Sequence, residues 1–180
     1  MVRIVFIRHG QPDFSLADER RHTQLEKDYS PLDRKYLDRV EQTASDPRLA
    51  DSEIVLSSPY TRALQTAEII NRRLQLPLFV EFDLHDWKAD LAGGYLALEE
   101  RDRRWEEYKS GRAGDDGRIA AKPYESPDSL QRRVRNVLGR YSGYRKIIVV
   151  SHLNVICAQV GDLRLVVPCA GILEYDLNLE

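Results

Sequence analysis

The sequence predicts a three-layer α/β/α sandwich around a mostly parallel sheet. Three unbroken apolar runs, Ile4-Val5-Phe6-Ile7, Ile54-Val55-Leu56 and Ile147-Ile148-Val149-Val150, have the length and β-branched content of strands buried on both faces. Between them lie segments whose apolar residues recur at helical spacing. This β-α-β-α rhythm is that of helices packed on both sides of one sheet.

Taken in order, residues 2–7 form the first strand. Residues 31–46 read as a helix entered at Ser30-Pro31, a capping serine followed by a proline at the first helical position. Residues 53–57 are the second strand. Ser58-Pro59 then opens a helix over about 59–75, with Ala63, Leu64, Ala67, Ile70 and Leu74 on one face. Residues 78–82 are the third strand, and 84–124 are irregular, charged and aromatic. Ser126-Pro127 repeats the cap-plus-proline device and opens a helix to about 141, with Leu130, Val134, Val137, Leu138 and Tyr141 facing the core. Residues 146–150 are the fourth strand, and a helix follows over about 153–160. Residues 163–167 and 172–177 read as final strands, the last alternating like a sheet edge at which subunits could pair.

A chain of 180 residues is long enough for one domain, 1–180, with a real core. Charged residues are 31% and the net charge is -2, so no global basic field points to nucleic acid. No apolar run approaches a membrane span. Met1 leads directly into a strand with no signal-like segment, so a cytoplasmic location is expected. Cys157 and Cys169 have no CxxC spacing and read as reduced core thiols.

The chemistry lies at the strand ends. The first strand stops in Arg8-His9-Gly10, at the edge where open α/β sheets place ligands. A histidine there can be a nucleophile, a base or a metal ligand, and the adjacent arginine favours an anion such as phosphate. Taken alone, the pair could equally be two surface side chains. The second strand runs into Ser57-Ser58-Pro59-Tyr60-Thr61-Arg62. An arginine in the first turn of a helix sits poorly with the helix dipole unless an anion is bound. The fourth strand ends in Ser151-His152, placed as His9 is. Two histidines and two arginines thus converge on one edge of one sheet. The carboxylates that would complete a metal site are not clustered with them.

These residues, Arg8-His9-Gly10-Gln11-Pro12-Asp13-Phe14-Ser15, Ser57-Ser58-Pro59-Tyr60-Thr61-Arg62-Ala63-Leu64-Gln65-Thr66-Ala67 and Val149-Val150-Ser151-His152, resemble the histidine phosphatase superfamily, the phosphoglycerate mutase-like proteins. The resemblance runs over most of the chain and thins in 16–50 and 90–124. It implies His9 as nucleophile, forming a phosphohistidine that water hydrolyses, with Arg8, Arg62 and His152 holding the phosphoryl oxygens and no metal or other cofactor. Family members carry an acid/base glutamate shortly after the third strand. The matching position here is Asp86, with Asp83 and His85 as fallbacks. Ser15 stands where the family often has a phosphate-contacting asparagine, and Leu153 where many relatives have glycine. Gln11 and Ser15 are further candidate phosphate contacts. Ser57 could orient the site or serve as a structural cap.

Specificity is expected in the variable segment 84–124, a lid rich in Trp87, Lys88, Tyr95, Arg101, Arg103, Arg104, Trp105, Tyr108, Lys109 and Arg112. It could cover a sugar phosphate or nucleotide or be an amphipathic lid helix with solvated charges, and Gly111–Gly117 reads as a mobile loop tip. The implied activity is hydrolysis of a small phosphomonoester. Mutases of the family are typically longer, with extra insertions and a C-terminal tail over the site, so net hydrolysis is expected here over mutase activity. A phosphohistidine or phosphotyrosine protein phosphatase, a phosphoglycerate mutase-type phosphotransferase and a non-catalytic phosphate-binding member are the alternatives.

Overall fold

The computed structural model describes residues 1–110 and 122–178. Five strands, β1 (Val2–Arg8), β2 (Ile54–Ser57), β3 (Leu78–Val80), β4 (Lys146–Ser151) and β5 (Ile172–Leu177), form one sheet in the order β3-β2-β4-β1-β5. All neighbours are parallel except β5, which runs antiparallel to β1. The period-2 geometry of a strand sends alternate side chains to opposite faces. Ile4, Phe6, Ile54, Leu56, Ile147 and Val149 fall on one face, with α6 (Pro127–Arg140) and α7 (Leu153–Val160) over them. Val5, Ile7, Val55, Ile148 and Val150 fall on the other, under α3 (Leu37–Thr43) and α4 (Thr61–Leu74). Because both sets are apolar, the runs read as continuous hydrophobic stretches, and the three-layer expectation holds.

α6 begins where the sequence places it. Pro127 occupies the first turn and Ser126 Oγ accepts from the Ser129 N–H. α4 starts two residues later than expected, at Thr61, because Pro59 and Tyr60 form a bend after β2 and Tyr60, in the extended conformation, is the N-cap. The helix expected over 31–46 is largely displaced. Pro31 and Leu32 lie extended against the loop after β1: the Asp13 N–H donates to the Pro31 carbonyl, the Asp33 N–H to the Gln11 carbonyl, and the Leu32 N–H to Gln65 Oε1. A 3₁₀ turn (Arg34–Tyr36) capped by Asp33 then leads into α3. These long-range hydrogen bonds override the local Ser-Pro signal.

Residues 163–167 are not a strand. Leu163, Leu165 and Val167 pack on the core instead, and the Val167 carbonyl accepts from Arg8 Nη1 at 2.8 Å. β3 is shorter than expected, giving way to a 3₁₀ turn at Phe82–Leu84. Two short helices not read from the sequence, α1 (Ser15–Glu19) and α2 (Gln24–Asp28), fill the stretch after β1. The signal for α2 was present: Thr23 and Glu26 form a reciprocal capping box. The lid contains α5 (Leu98–Lys109). The loop tip expected at Gly111–Gly117, and Arg112 with it, lie outside the described residues. Among those residues no helix is long and apolar enough to cross a membrane.

Gly10 marks where the chain turns away from β1. A Cβ there would lie 2.7 Å from Val40 Cγ2 and 3.1 Å from Leu32 Cδ2, both in the packed layer beside α4. Gly10→Ala is therefore expected to cost about 1–3 kcal/mol through overpacking, measured as a lower urea midpoint. An unchanged midpoint would mean that α3 shifts freely.

Candidate active site

The sheet register brings the chemical groups together. β1 and β4 pair so that Arg8 lies opposite Ser151, and β2 pairs so that Ser57 lies opposite Val150. The residues that follow continue the ladder: the His9 N–H donates to the Ser151 carbonyl and the Ser58 N–H to the Val150 carbonyl, both at 2.9 Å. His9 and His152 end with ring centroids 5.1 Å apart.

His9 is buried and its tautomer is fixed. Nδ1 lies 2.7 Å from the Gly10 carbonyl, which can only accept, so Nδ1 carries the proton. Nε2 is then a lone pair, and it accepts from Arg62 Nε at 3.3 Å. Burial pushes the imidazole pKa down to about 3, with Arg62 and Arg8 adding to the shift against the opposing Gly10 hydrogen bond. The ring is neutral and nucleophilic at physiological pH. The Gly10 peptide that holds it is itself held, its N–H donating to Thr66 Oγ1 at 2.9 Å. His152 is fully buried and held well below its ordinary pKa by burial, then by Arg62 and His9. Its Nδ1 faces Arg62 Nη2 at 3.4 Å and its Nε2 faces Ser58 Oγ at 2.7 Å.

Arg62 is the hub. It sits in the first turn of α4 with its guanidinium over the Tyr60 ring at 4.9 Å and carboxylates on two sides, Asp28 Oδ1 at 3.8 Å and Asp86 Oδ2 at 3.6 Å. Asp86 Oδ2 is also 3.6 Å from His152 Nδ1. Arg62 Nη1 and Arg8 Nε are buried with no hydrogen-bond partner among the described residues. Leaving such donors unpaired is costly, and an oxyanion would satisfy both. No group of three or more His, Cys, Asp or Glu side chains among the described residues is placed to hold a metal ion.

These groups open into a cavity of about 380 Å³. Of the residues singled out from the sequence, Arg8, His9, Gln11, Arg62 and Asp86 line it, while His152 lies behind Arg62. Of the three acid candidates only Asp86 lines it. His85 turns away, Nδ1 donating to the Asp86 carbonyl at 2.6 Å, and Asp83 is also outside the lining. Ser15 and Ser57 do not reach the cavity. Ser15 is exposed, its N–H on Asp13 Oδ1, and the Ser57 hydroxyl is buried on the Ser58 carbonyl. Ser58, one residue on, is also buried and outside the lining, but its hydroxyl is hydrogen-bonded to His152 Nε2. Leu153 both lines the cavity and packs on the core. Cys169 is a partly exposed cavity residue rather than a core thiol, because the 168–170 turn is pinned over the strand end by the Ala170 N–H donating to the Arg8 carbonyl.

From the lid, Trp87, Leu98, Arg101 and Trp105 form one wall. Trp105 is stacked on Tyr108 at 4.7 Å, which fixes the indole. Arg103, Arg104 and Lys109 instead pair with acids of their own helix.

Asp28 was missed from the sequence, where nothing marks it beyond a charged stretch. It ends α2 inside the cavity, accepting from Gln24 Nε2 at 3.1 Å. Burial raises its pKa from the ordinary 3.8 to about 6, against the opposing pull of Arg62 and the Tyr60 hydroxyl. The folded chain therefore keeps this proton up to about pH 6, whereas the unfolded chain loses it near 3.8. Folding stability from this group is present at low pH and is lost as pH rises between those values. His9 and His152, with lowered values, pull the other way, so the test is a difference. Between pH 4 and pH 7, Asp28→Asn should gain about 2–3 kcal/mol on the wild type, read from urea unfolding at both pH values. A gap independent of pH would place the Asp28 carboxyl in a solvated setting.

The histidine phosphatase superfamily (branch 1) model matches residues 4–169. A Bacillus subtilis protein described as uncharacterized phosphatase PhoE is 31% identical over 105 residues, 58% of this chain and 52% of that protein, so the match spans about half of the relative's length. Among solved structures, Bacillus stearothermophilus YhfR superposes with a TM-score of 0.72 at 18% identity, covering 99% of this chain and 93% of that one. A mycobacterial glucosyl-3-phosphoglycerate phosphatase gives 0.71 at 18% identity, covering 96% and 89%. A putative alpha-ribazole-5'-P phosphatase from Escherichia coli gives 0.65 at 19%, covering 99% and 92%. At these identities the solved structures establish a shared fold, and the family model, matching nearly the whole chain on the strands that carry the paired histidines and Arg62, establishes the lineage: the chain belongs to the histidine phosphatase superfamily.

Proposed function

We propose that this protein hydrolyses a small phosphorylated metabolite through a phosphohistidine intermediate, without a metal. The observation that carries the reading is the neutral His9 Nε2 lone pair set beside unpartnered guanidinium donors of Arg62 and Arg8. A lone pair is what attack on phosphorus needs, and the guanidiniums are what the phosphoryl oxygens need.

In the first step Nε2 attacks phosphorus and the bond to the leaving oxygen breaks. Arg8 and Arg62 neutralise the equatorial oxygens. His152, whose low pKa reflects burial beside Arg62, gains proton affinity when a phosphoryl dianion is added. Asp86, in its protonated form, gives its proton to the leaving oxygen. In the second step Asp86 takes a proton from water, the hydroxide attacks phosphorus, the P–N bond breaks and His9 returns neutral. The Gly10 carbonyl on Nδ1–H stabilises the positive charge that the phosphorylated ring carries between the steps. The cavity volume lies toward the small end for ligand pockets, and the wall of Trp105 and Leu98 closes one side. Both favour a compact metabolite over a phosphorylated protein chain.

Wild type should turn over p-nitrophenyl phosphate in the presence of a chelator, and His9→Ala should have no measurable turnover while keeping its unfolding midpoint. Retained turnover in His9→Ala would remove the covalent route. Asp86→Asn should lose about 10²-fold more in kcat on an alkyl phosphate than on 2,4-dinitrophenyl phosphate, whose leaving group needs no proton. Equal losses would remove the acid role.

A further inference from the structure

Asp86 lies on a loop with no strand or helix to fix it, and its side chain is a quarter exposed. An aspartate there has one methylene less reach than a glutamate, so the loop itself must set its position. The backbone shows how. Four consecutive carbonyls, from Asp83 to Asp86, each accept from a side chain. Ser151 Oγ donates to Leu84 at 2.8 Å. The other three are served by Arg133 of α6. Nη1 donates to the Asp83 carbonyl at 2.5 Å and to the His85 carbonyl at 2.9 Å, and Nη2 donates to the Asp86 carbonyl at 3.0 Å. The remaining Nη2 proton and Nε–H form a fork on Glu125, at 2.9 Å to Oε2 and 2.7 Å to Oε1. All of the guanidinium's N–H donors are used.

Glu125 completes the device. It is buried, and it binds the far side of the same loop: its Oε2 accepts from the Lys88 N–H at 3.2 Å and its carbonyl from Trp87 Nε1 at 2.8 Å. The Trp87 N–H in turn holds Asp86 Oδ1 at 2.9 Å. With Oδ1 fixed, Oδ2 is the oxygen left facing Arg62 and His152, at 3.6 Å from each. Asp86 and Trp87 line the cavity, whereas Arg133 and Glu125 are absent from its lining.

We propose that Arg133, locked by Glu125, is the positioning residue for Asp86, setting the height of Oδ2 over the phosphoryl site so that the proton reaches the leaving oxygen. The inference rests on the reading of Asp86 as the acid. Only a planar fork can satisfy three carbonyls and a carboxylate at once, so lysine cannot substitute. Misplacing an acid by about 1 Å is enough to cost about 10²-fold.

The test compares Arg133→Met, Arg133→Lys and Asp86→Asn on n-butyl phosphate and 2,4-dinitrophenyl phosphate, with unfolding midpoints for each. Arg133→Met and Arg133→Lys should lose about 30- to 100-fold in kcat on the butyl ester, within about 3-fold on the dinitrophenyl ester, with KM unchanged. The double variant Asp86→Asn/Arg133→Met should be no slower on the butyl ester than Asp86→Asn alone, because both remove one function. Should Arg133→Met not fold, Glu125→Gln, which keeps the shape and removes the counter-charge, should show the same selectivity at smaller size. Equal losses on both esters, or additive losses in the double variant, would make Arg133 a structural residue only and overturn the proposal. If Asp86→Asn is unselective while the Arg133 variants are selective, the acid reading fails, and with it this one. If Asp86→Asn is selective and the Arg133 variants are not, this one alone fails.

Discussion

In the register of β4 against β1 and β2, the last residues of three parallel strands stand side by side at one edge of the sheet. Every later feature of the site depends on that alignment. A slip of one residue in either pairing would exchange the faces of a whole strand, sending Ile4 and Phe6 from one apolar layer to the other. Dense packing on both faces forbids this. The strands therefore act as a ruler: His9, Ser58 and His152 leave it side by side, and their hydrogen bonds to Gly10, to Arg62 and to one another then fix the rings.

Electrostatics then decides what the cluster can do. Burial drives both imidazoles toward the neutral form, and Arg62 beside them adds to this. Asp28 and Asp86 flank the guanidinium and limit the cost of burying its charge, yet neither reaches Nη1 within hydrogen-bond distance. The site is thus balanced in charge but not in hydrogen bonds, a state suited to accepting an oxyanion. A second cation, Arg133, is spent wholly on backbone carbonyls and Glu125 and takes no part in that balance.

The residues legible from the sequence share one property: their place follows from a local pattern. His9, Arg62 and His152 each come directly after a buried strand or open the helix behind one, and so could be located by counting. Asp86 was found by its place after the third strand. Ser58 was passed over for Ser57, one residue away; both hydroxyls are buried, but Ser57 bonds a backbone carbonyl and Ser58 bonds His152. Asp28 was invisible. Its side chain enters the cavity only because α2 is packed beside the strand ends, and the 11–33 segment owes its shape to hydrogen bonds with Gln65 and with its own distant half.

The sequence alone determined the layered sheet, its strand ends and the residue types gathered there, because buried strands and capped helices write their periods into neighbouring residues. Only the tertiary structure decided the neutral state of the histidines, the place of Asp86 on the cavity wall with Asp83 and His85 off it, the intrusion of Asp28 and the hold of Arg133 on the Asp83–Asp86 carbonyls. Each of these depends on distances between groups far apart in the chain, and such distances are set by how the layers pack rather than by any local pattern.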